Sequence, residues 1–144
     1  MKQFTKPRTT VSRSGAAAVE TALALPVLLL LAFGCVDFGR AASAHLIVCN
    51  AARTGTDYGA TRGVTTYTRD SWEAAIRTTV IEEMLNIATF DESKLFVTIA
   101  TDEGDYGLDY VSVTVAYNFE TLAGWPGLPS NIALEHTVSA QRVR

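Results

Sequence analysis

The distribution of apolar and polar positions divides the chain into an apolar N-terminal stretch and a second half of mixed periodicity. Residues 16–36 hold a single charged side chain, Glu20, among Leu23, Leu25, Val27 and the run Leu28-Leu29-Leu30-Leu31. A bilayer hydrocarbon core of ~30 Å takes ~20 apolar helical residues, so the stretch suits one span. Pro26 inside it forfeits one backbone donor, a fault that transmembrane helices tolerate better than soluble ones. The helical pattern then continues. Ala41, Ala44, Val48, Ala52, Gly55 and Gly59 recur three or four residues apart on one face, and Gly63 is a candidate terminator. One helix over residues 16–62 is ~70 Å long at ~1.5 Å per residue, so roughly half of it protrudes from a ~30 Å core. Ala52, Gly55 and Gly59 form the candidate helix-packing stripe, because small side chains let another backbone approach closely.

Beyond a loop over residues 63–69, Asp70 and Glu73 have the spacing of a capping box and open a second helix. Trp72, Ile76, Val80, Met84 and Ile87 follow at helical spacing and define its apolar face. Three strand-like runs come next. Leu95, Val97 and Ile99 alternate with Phe96 and Thr98, and Val111, Val113, Val115, Tyr117 and Phe119 alternate with Ser112, Thr114 and Asn118. In the third run, Ile132, Leu134, His136 and Val138 alternate with Glu135, Thr137 and Ser139. Residues 102–109 and Gly124-Trp125-Pro126-Gly127-Leu128-Pro129 supply the turns. The expected fold is α+β: a long N-terminal transmembrane helix extending into a small domain with a second helix and a three-stranded antiparallel sheet. This divides the chain into a leader (1–15), a membrane and protruding helix (16–62) and an α+β domain (63–144).

Composition narrows the classes. With 144 residues, 48% of them hydrophobic and 19% charged, the chain is too apolar for intrinsic disorder and has room for one modest domain. The net charge of −3 gives no basic footprint for nucleic acid. That charge is unevenly spread: Lys2, Lys6, Arg8 and Arg13 precede the span with no acid among them, whereas Asp37 and Arg40 cancel after it. The positive-inside rule then places the N-terminus in the cytoplasm and the C-terminal domain outside. Two cysteines exclude a disulfide-built scaffold and a multi-cysteine zinc site. Cys35 and Cys49 lie ~21 Å apart along one helix and cannot pair within it, which leaves two apolar helix residues or a bond between subunits.

The junction Arg13-Ser14-Gly15-Ala16-Ala17-Ala18-Val19-Glu20 joins a basic leader to an apolar helix with a carboxylate at its fifth residue. It resembles the processing site of type IV prepilins, cut after the glycine by a membrane-embedded prepilin peptidase. An ionised Glu in a span costs about 2.5–3.5 kcal/mol on insertion scales and needs a partner. Cleavage after Gly15 creates an α-ammonium on Ala16, one helical turn from Glu20 and within reach of a neighbouring subunit. The plainer reading is a carboxylate resting at the interface without a role.

The same junction leads into Leu25-Pro26, then Asp37-Phe38-Gly39-Arg40, then Asn50-Ala51-Ala52-Arg53. This succession resembles the TadE-like family of Flp/Tad pilus proteins, most specifically over residues 13–60. Tyr58 and the strand Asp109-Tyr110-Val111-Ser112-Val113-Thr114-Val115-Ala116-Tyr117 also resemble its C-terminal half. Departures are Thr21 where an aromatic commonly follows the glutamate, Asp37 where Glu often leads the block, and the polar Thr56-Asp57. The resemblance implies a pilin-like minor subunit or assembly factor of a type IVc pilus, used in adherence. Its implied partners are the lipid bilayer, a prepilin peptidase, other pilin or pseudopilin subunits and the Tad assembly machinery.

Other candidate chemistry is weaker. Phe33 and Ala32 fit poorly before Gly34-Cys35 as a lipobox, and Ala42-Ser43-Ala44 lies too far past the apolar run for a signal peptidase site. Asp102, Glu103, Asp105 and Asp109 crowd one turn without EF-hand spacing, so a solvated hairpin is favoured over calcium. His45 and His136 belong to no catalytic motif, and no cofactor or metal fingerprint is present, so an enzyme is not expected. Trp125 caps the sheet or touches a partner. The rival function is an uncleaved, membrane-anchored extracytoplasmic binding module, which needs only the apolar length. The charge asymmetry yields the first prediction: a reporter fused after Arg144 is expected to be active outside the cytoplasm, and activity confined to the cytoplasm would contradict the orientation.

Overall fold

The computed structural model describes residues 14–104, 108–122 and 130–142. Lys2, Lys6, Arg8 and Arg13 of the leader, Asp105 of the acidic turn, and Trp125 with its Gly/Pro neighbours lie outside the described residues. The elements are α1 (Ser14–Thr61), α2 (Arg69–Met84), a 3-10 turn (Glu92–Lys94), β1 (Leu95–Gly104), β2 (Leu108–Glu120) and β3 (Asn131–Gln141). This is the expected α+β arrangement, with a long apolar N-terminal helix, a second helix and a three-stranded antiparallel sheet. The chain separates into two compact units, Met1–Val36 and Asp37–Arg144, and the boundary falls within α1.

In the first unit the described part of α1 exposes its apolar side chains, Leu23 and Leu28 among them. Pro26 sits inside the helix, so the carbonyl of Ala22 loses its usual donor. Thr21 turns its hydroxyl back to Ala17 O at 2.9 Å, which satisfies it without water.

The second unit is built on the remainder of α1. One face of that helix buries Ala44, Val48, Ala51, Ala52, Gly55, Thr56, Gly59 and Ala60. A Cβ placed on Gly55 would lie 2.7 Å from Val80 Cγ2, and one on Gly59 would lie 2.9 Å from Ile76 Cδ1 and 3.2 Å from Trp72 Cζ2. Hence the small-residue stripe accommodates α2 and the β2 side chains Val111 and Val113 of the same chain. α1 ends at Thr61, whose hydroxyl donates to Asp57 O and Tyr58 O in the last turn. Gly63 lies beyond that end and outside the left-handed region, so it is not the helix-terminating glycine that its position suggests.

α2 buries Trp72, Ile76, Val80 and Met84, and Ile87 continues the face just past its end. Its start differs from the expected capping box. The N-cap is Thr68, whose side chain makes no capping bond, and Asp70 lies within the first turn. Glu73 instead pairs with Arg69 Nε at 2.9 Å, an i,i+4 contact on the helix surface. Arg77 Nη1 donates to Val97 O at 2.8 Å, which joins α2 to β1.

The sheet has the order β1-β2-β3, with Val97 opposite Val115 and Val113 opposite Val138. The alternation of β2 sends Val111, Val113, Val115, Tyr117 and Phe119 into the core and leaves the intervening residues on the other face. In β3 the pattern takes hold at Leu134, while Ile132 remains exposed. Beside β1, Asp91 accepts from Ser93 N and Oγ, and these bonds hold its carboxyl below the ordinary range. Lys94 bonds Glu120 at 2.9 Å, which raises its pKa.

The close approach of α1 generates the second prediction. Val80 is fully buried and β-branched, so it has little freedom to retreat from a larger neighbour. Gly55→Leu is expected to lower stability by about 2 kcal/mol or more, within the range for overpacked cores. Gly39→Ala, where nothing lies within 4 Å of the added carbon, serves as the control and is expected to raise stability by up to about 1 kcal/mol, because alanine is the better helix former. Thermal unfolding of the detergent-solubilised chain, followed by circular dichroism, measures both.

Candidate processing and assembly site

Gly15 and Ala16 lie in the first described turn of α1 and are exposed. Among the described residues, beyond its own helix neighbours, nothing lies within 4 Å of a Cβ added at Gly15. The first four N–H groups of a helix have no intrahelical acceptor, and glycine adds backbone freedom. Glu20 is exposed and follows Ala16 by four residues, which puts the two on one helix face with a rise of ~6 Å between them. Among the described residues Glu20 has no ion-pair partner.

The second unit contributes a polar attachment that charge counting along the chain did not find. Asp37 is 6% exposed, and its carboxylate accepts from Leu122 N at 3.0 Å to Oδ1 and 3.1 Å to Oδ2. Arg40 Nη1 bonds the same Oδ1 at 3.0 Å, and its guanidinium lies 5.1 Å from the centre of the Phe119 ring. The acid and the base of Asp37-Phe38-Gly39-Arg40 thus both turn toward the C-terminal end of β2, whereas Phe38 is 78% exposed. The i,i+3 spacing of Asp37 and Arg40 was a legible sign of their pairing. The Leu122 amide, 85 residues away, was not.

Further along α1, Ala51 and Ala52 are buried while Asn50 and Arg53 are exposed. The polar Thr56 is fully buried, its hydroxyl 2.7 Å from Ala52 O and 3.2 Å from Val138 O on β3. Tyr58 is half-buried beneath the Arg62 guanidinium, 4.6 Å from its ring centre. The stripe residues Ala52, Gly55 and Gly59 belong to this second unit, and Gly15, Ala16 and Glu20 to the first. Cys35 and Cys49 are free thiols, and Cys49 Sγ lies 3.7 Å from His45 Nε2. Asp102 and Glu103 pair in register with Tyr110 and Asp109 at the β1–β2 hairpin. No group of three or more metal-ligating side chains forms among the described residues.

One N-terminal apolar helix, Gly15–Thr61, is long and apolar enough to cross a membrane. The family described as TadE-like protein matches residues 15–57. No curated protein and no solved structure matches the chain. The TadE-like segment opens at Gly15 and takes in Glu20, the Asp37–Arg40 pair, Asn50-Ala51-Ala52-Arg53 and Thr56. The match covers less than a third of the chain, and over that segment the chain is similar to TadE-like proteins. The apolar helix fits a single-pass membrane protein.

The third prediction concerns Asp37. Removing the carboxylate leaves Arg40 and the Leu122 amide without their acceptor, and hydrogen bonds to charged groups are each worth about 1.5–3 kcal/mol. Asp37→Ala is expected to destabilise the second unit by about 2 kcal/mol. Urea unfolding of the intact chain in detergent, read through near-ultraviolet circular dichroism, measures the loss.

Proposed function

We propose that the protein is a non-enzymatic TadE-like minor pilin or pseudopilin of a Flp/Tad pilus used in adherence. In this reading it inserts as a single span with a cytoplasmic N-terminus and an extracytoplasmic C-terminal domain. A prepilin peptidase cuts it between Gly15 and Ala16, and the trimmed helix then enters the pilus or its base. The observation that carries the reading is the placement of Glu20. It is an exposed carboxylate in an apolar TadE-like helix, one turn beyond an open glycine at which the family match begins.

Charge chemistry supplies the mechanism. In the uncut chain the basic leader neutralises Glu20 at the cytoplasmic interface. Cleavage removes those groups and leaves the Ala16 α-ammonium as the natural partner, on a neighbouring subunit. At ~4 Å and an effective dielectric constant of ~20 such a pair is attractive by up to ~4 kcal/mol before desolvation is subtracted. A net ~1.4 kcal/mol per subunit is already tenfold in association, enough to select which chains assemble.

The experiment is intact-mass and N-terminal analysis of protein purified from membranes, together with two variants. A mature terminus at Ala16 is expected; an intact Met1 would favour the uncleaved membrane-anchored module. Glu20→Ala is expected to insert and to be cut, yet to co-purify with other pilus components at about a tenth of the unmodified level or less. Gly15→Arg is expected to remain uncut and to fail in the same assembly assay. Undiminished co-assembly of Glu20→Ala would rule out the charge-pair mechanism.

A further inference from the structure

The second unit holds a cavity of about 200 Å³ whose walls include Thr65, Thr66, Arg69, Trp72, Thr101 and Arg142. Its polar chemistry is one-sided. Arginine and tryptophan side chains only donate, threonine hydroxyls can donate, and none of these six side chains is a carboxylate. Asp70 and Glu73 are nearby acids on α2, and neither is part of the wall. Glu73 engages Arg69 through Nε, while the contact of Arg69 Nη2 with Thr101 Oγ1 is long at 3.4 Å.

Two buried donors at the cavity have no acceptor among the described residues. Trp72 is 5% exposed and its indole Nε1 is unpartnered. Arg142 Nε is likewise buried and unpartnered. The Arg142 guanidinium lies 5.8 Å from the centre of the Trp72 ring, and its backbone N–H donates to Asp109 O at 2.8 Å, which fixes the residue beside β2. Unpaired buried donors are uncommon in folded proteins, because nothing replaces the water bonds they lose. The loop before α2 adds to the imbalance. The hydroxyl of Thr68, the N-cap, makes no capping bond and accepts from Thr65 N at 3.0 Å. The positive end of a 16-residue helix is thereby left without a side-chain cap next to the cavity.

We propose that this cavity binds the oxyanion group, carboxylate or phosphate, of a small ligand. Arg69 and Arg142 supply the countercharge, the Trp72 indole N–H is a fixed donor, and Thr65, Thr66 and Thr101 complete the donor set. A guanidinium pair suits a planar carboxylate or a phosphate face through parallel N–H···O bonds. The volume suits a small acid rather than a polymer. The inference is independent of the pilus reading, since it uses none of the processing residues.

The test is a titration of the full chain in detergent, labelled with ¹⁵N-tryptophan, with inorganic phosphate and separately with D-glucuronate at constant ionic strength. The chain has two tryptophans, Trp72 and Trp125, and Trp72→Phe assigns the indole signal. A saturable shift of the Trp72 N–H is expected with one of the two probes, and which probe saturates tells a phosphate ligand from a carboxylate one. Arg69→Gln and Arg142→Gln are each expected to weaken that binding about tenfold or more. The Arg69 side chain is 52% exposed and its ion pair with Glu73 lies on the helix surface, so its replacement is expected to shift the melting temperature little, which separates lost binding from lost folding. A non-saturating response to both probes overturns the proposal. So does saturation with the same affinity in Arg69→Gln and Arg142→Gln, which would mark a general salt effect.

Discussion

The second unit depends on how closely α1 can lie to the rest of its own core. At Gly55 and Gly59 the space for a single methyl group is already taken by Val80 and Ile76. Helix interiors disfavour glycine by up to about 1 kcal/mol each, so these positions sacrifice local helix stability for tertiary contact. In return Ile76, Val80, Val111 and Val113 are removed from solvent altogether. Burial of such side chains contributes about 1.5–3 kcal/mol apiece, which outweighs the helix penalty. The 3.6-residue period of α1 and α2 and the two-residue period of β2 converge on this one layer.

Two polar contacts join the helix to the sheet region beside the apolar packing. Asp37 receives the Leu122 amide near one end of the contact, and the Thr56 hydroxyl stands beside the Val138 carbonyl further along. Asp37 and Thr56 are both buried, where a lost hydrogen bond is not readily replaced by bulk water. The polarity of Thr56, out of place on an apolar helix face, follows from that position. Asp37 also begins the second unit, so the first acidic residue after the apolar run is where α1 changes from a helix with exposed leucines to one side of a core.

Much of this was legible because each element carries one clean period. The five apolar residues of β2 and the Trp72-to-Ile87 face were readable from spacing, and all of them are buried. Glu20 was legible for the opposite reason, as a lone charge in a run that excludes charge. Helix ends were less readable. Asp70 and Glu73 have capping-box spacing, but Thr68 is bound to Thr65 and Glu73 to Arg69, so local side-chain bonding displaced the expected cap. The presence of Arg69 and Arg142 in the wall of one cavity, and the meeting of Asp37 with Leu122, depend on tertiary topology, which spacing along one element cannot encode.

The face of the sheet turned from the core has its own order. Ser112 meets Ser139 at 2.6 Å and Thr114 meets Thr137 at 2.8 Å, so hydroxyls answer hydroxyls across β2 and β3. Thr98 extends the second of these rows onto β1. Water competes for such bonds, and they add little to stability. Their effect is on error. A slip of one residue between strands would turn hydroxyls inward and valines outward along the whole ladder. Side-chain chemistry on both faces thereby favours one alignment of the three strands, independently of the length of their turns.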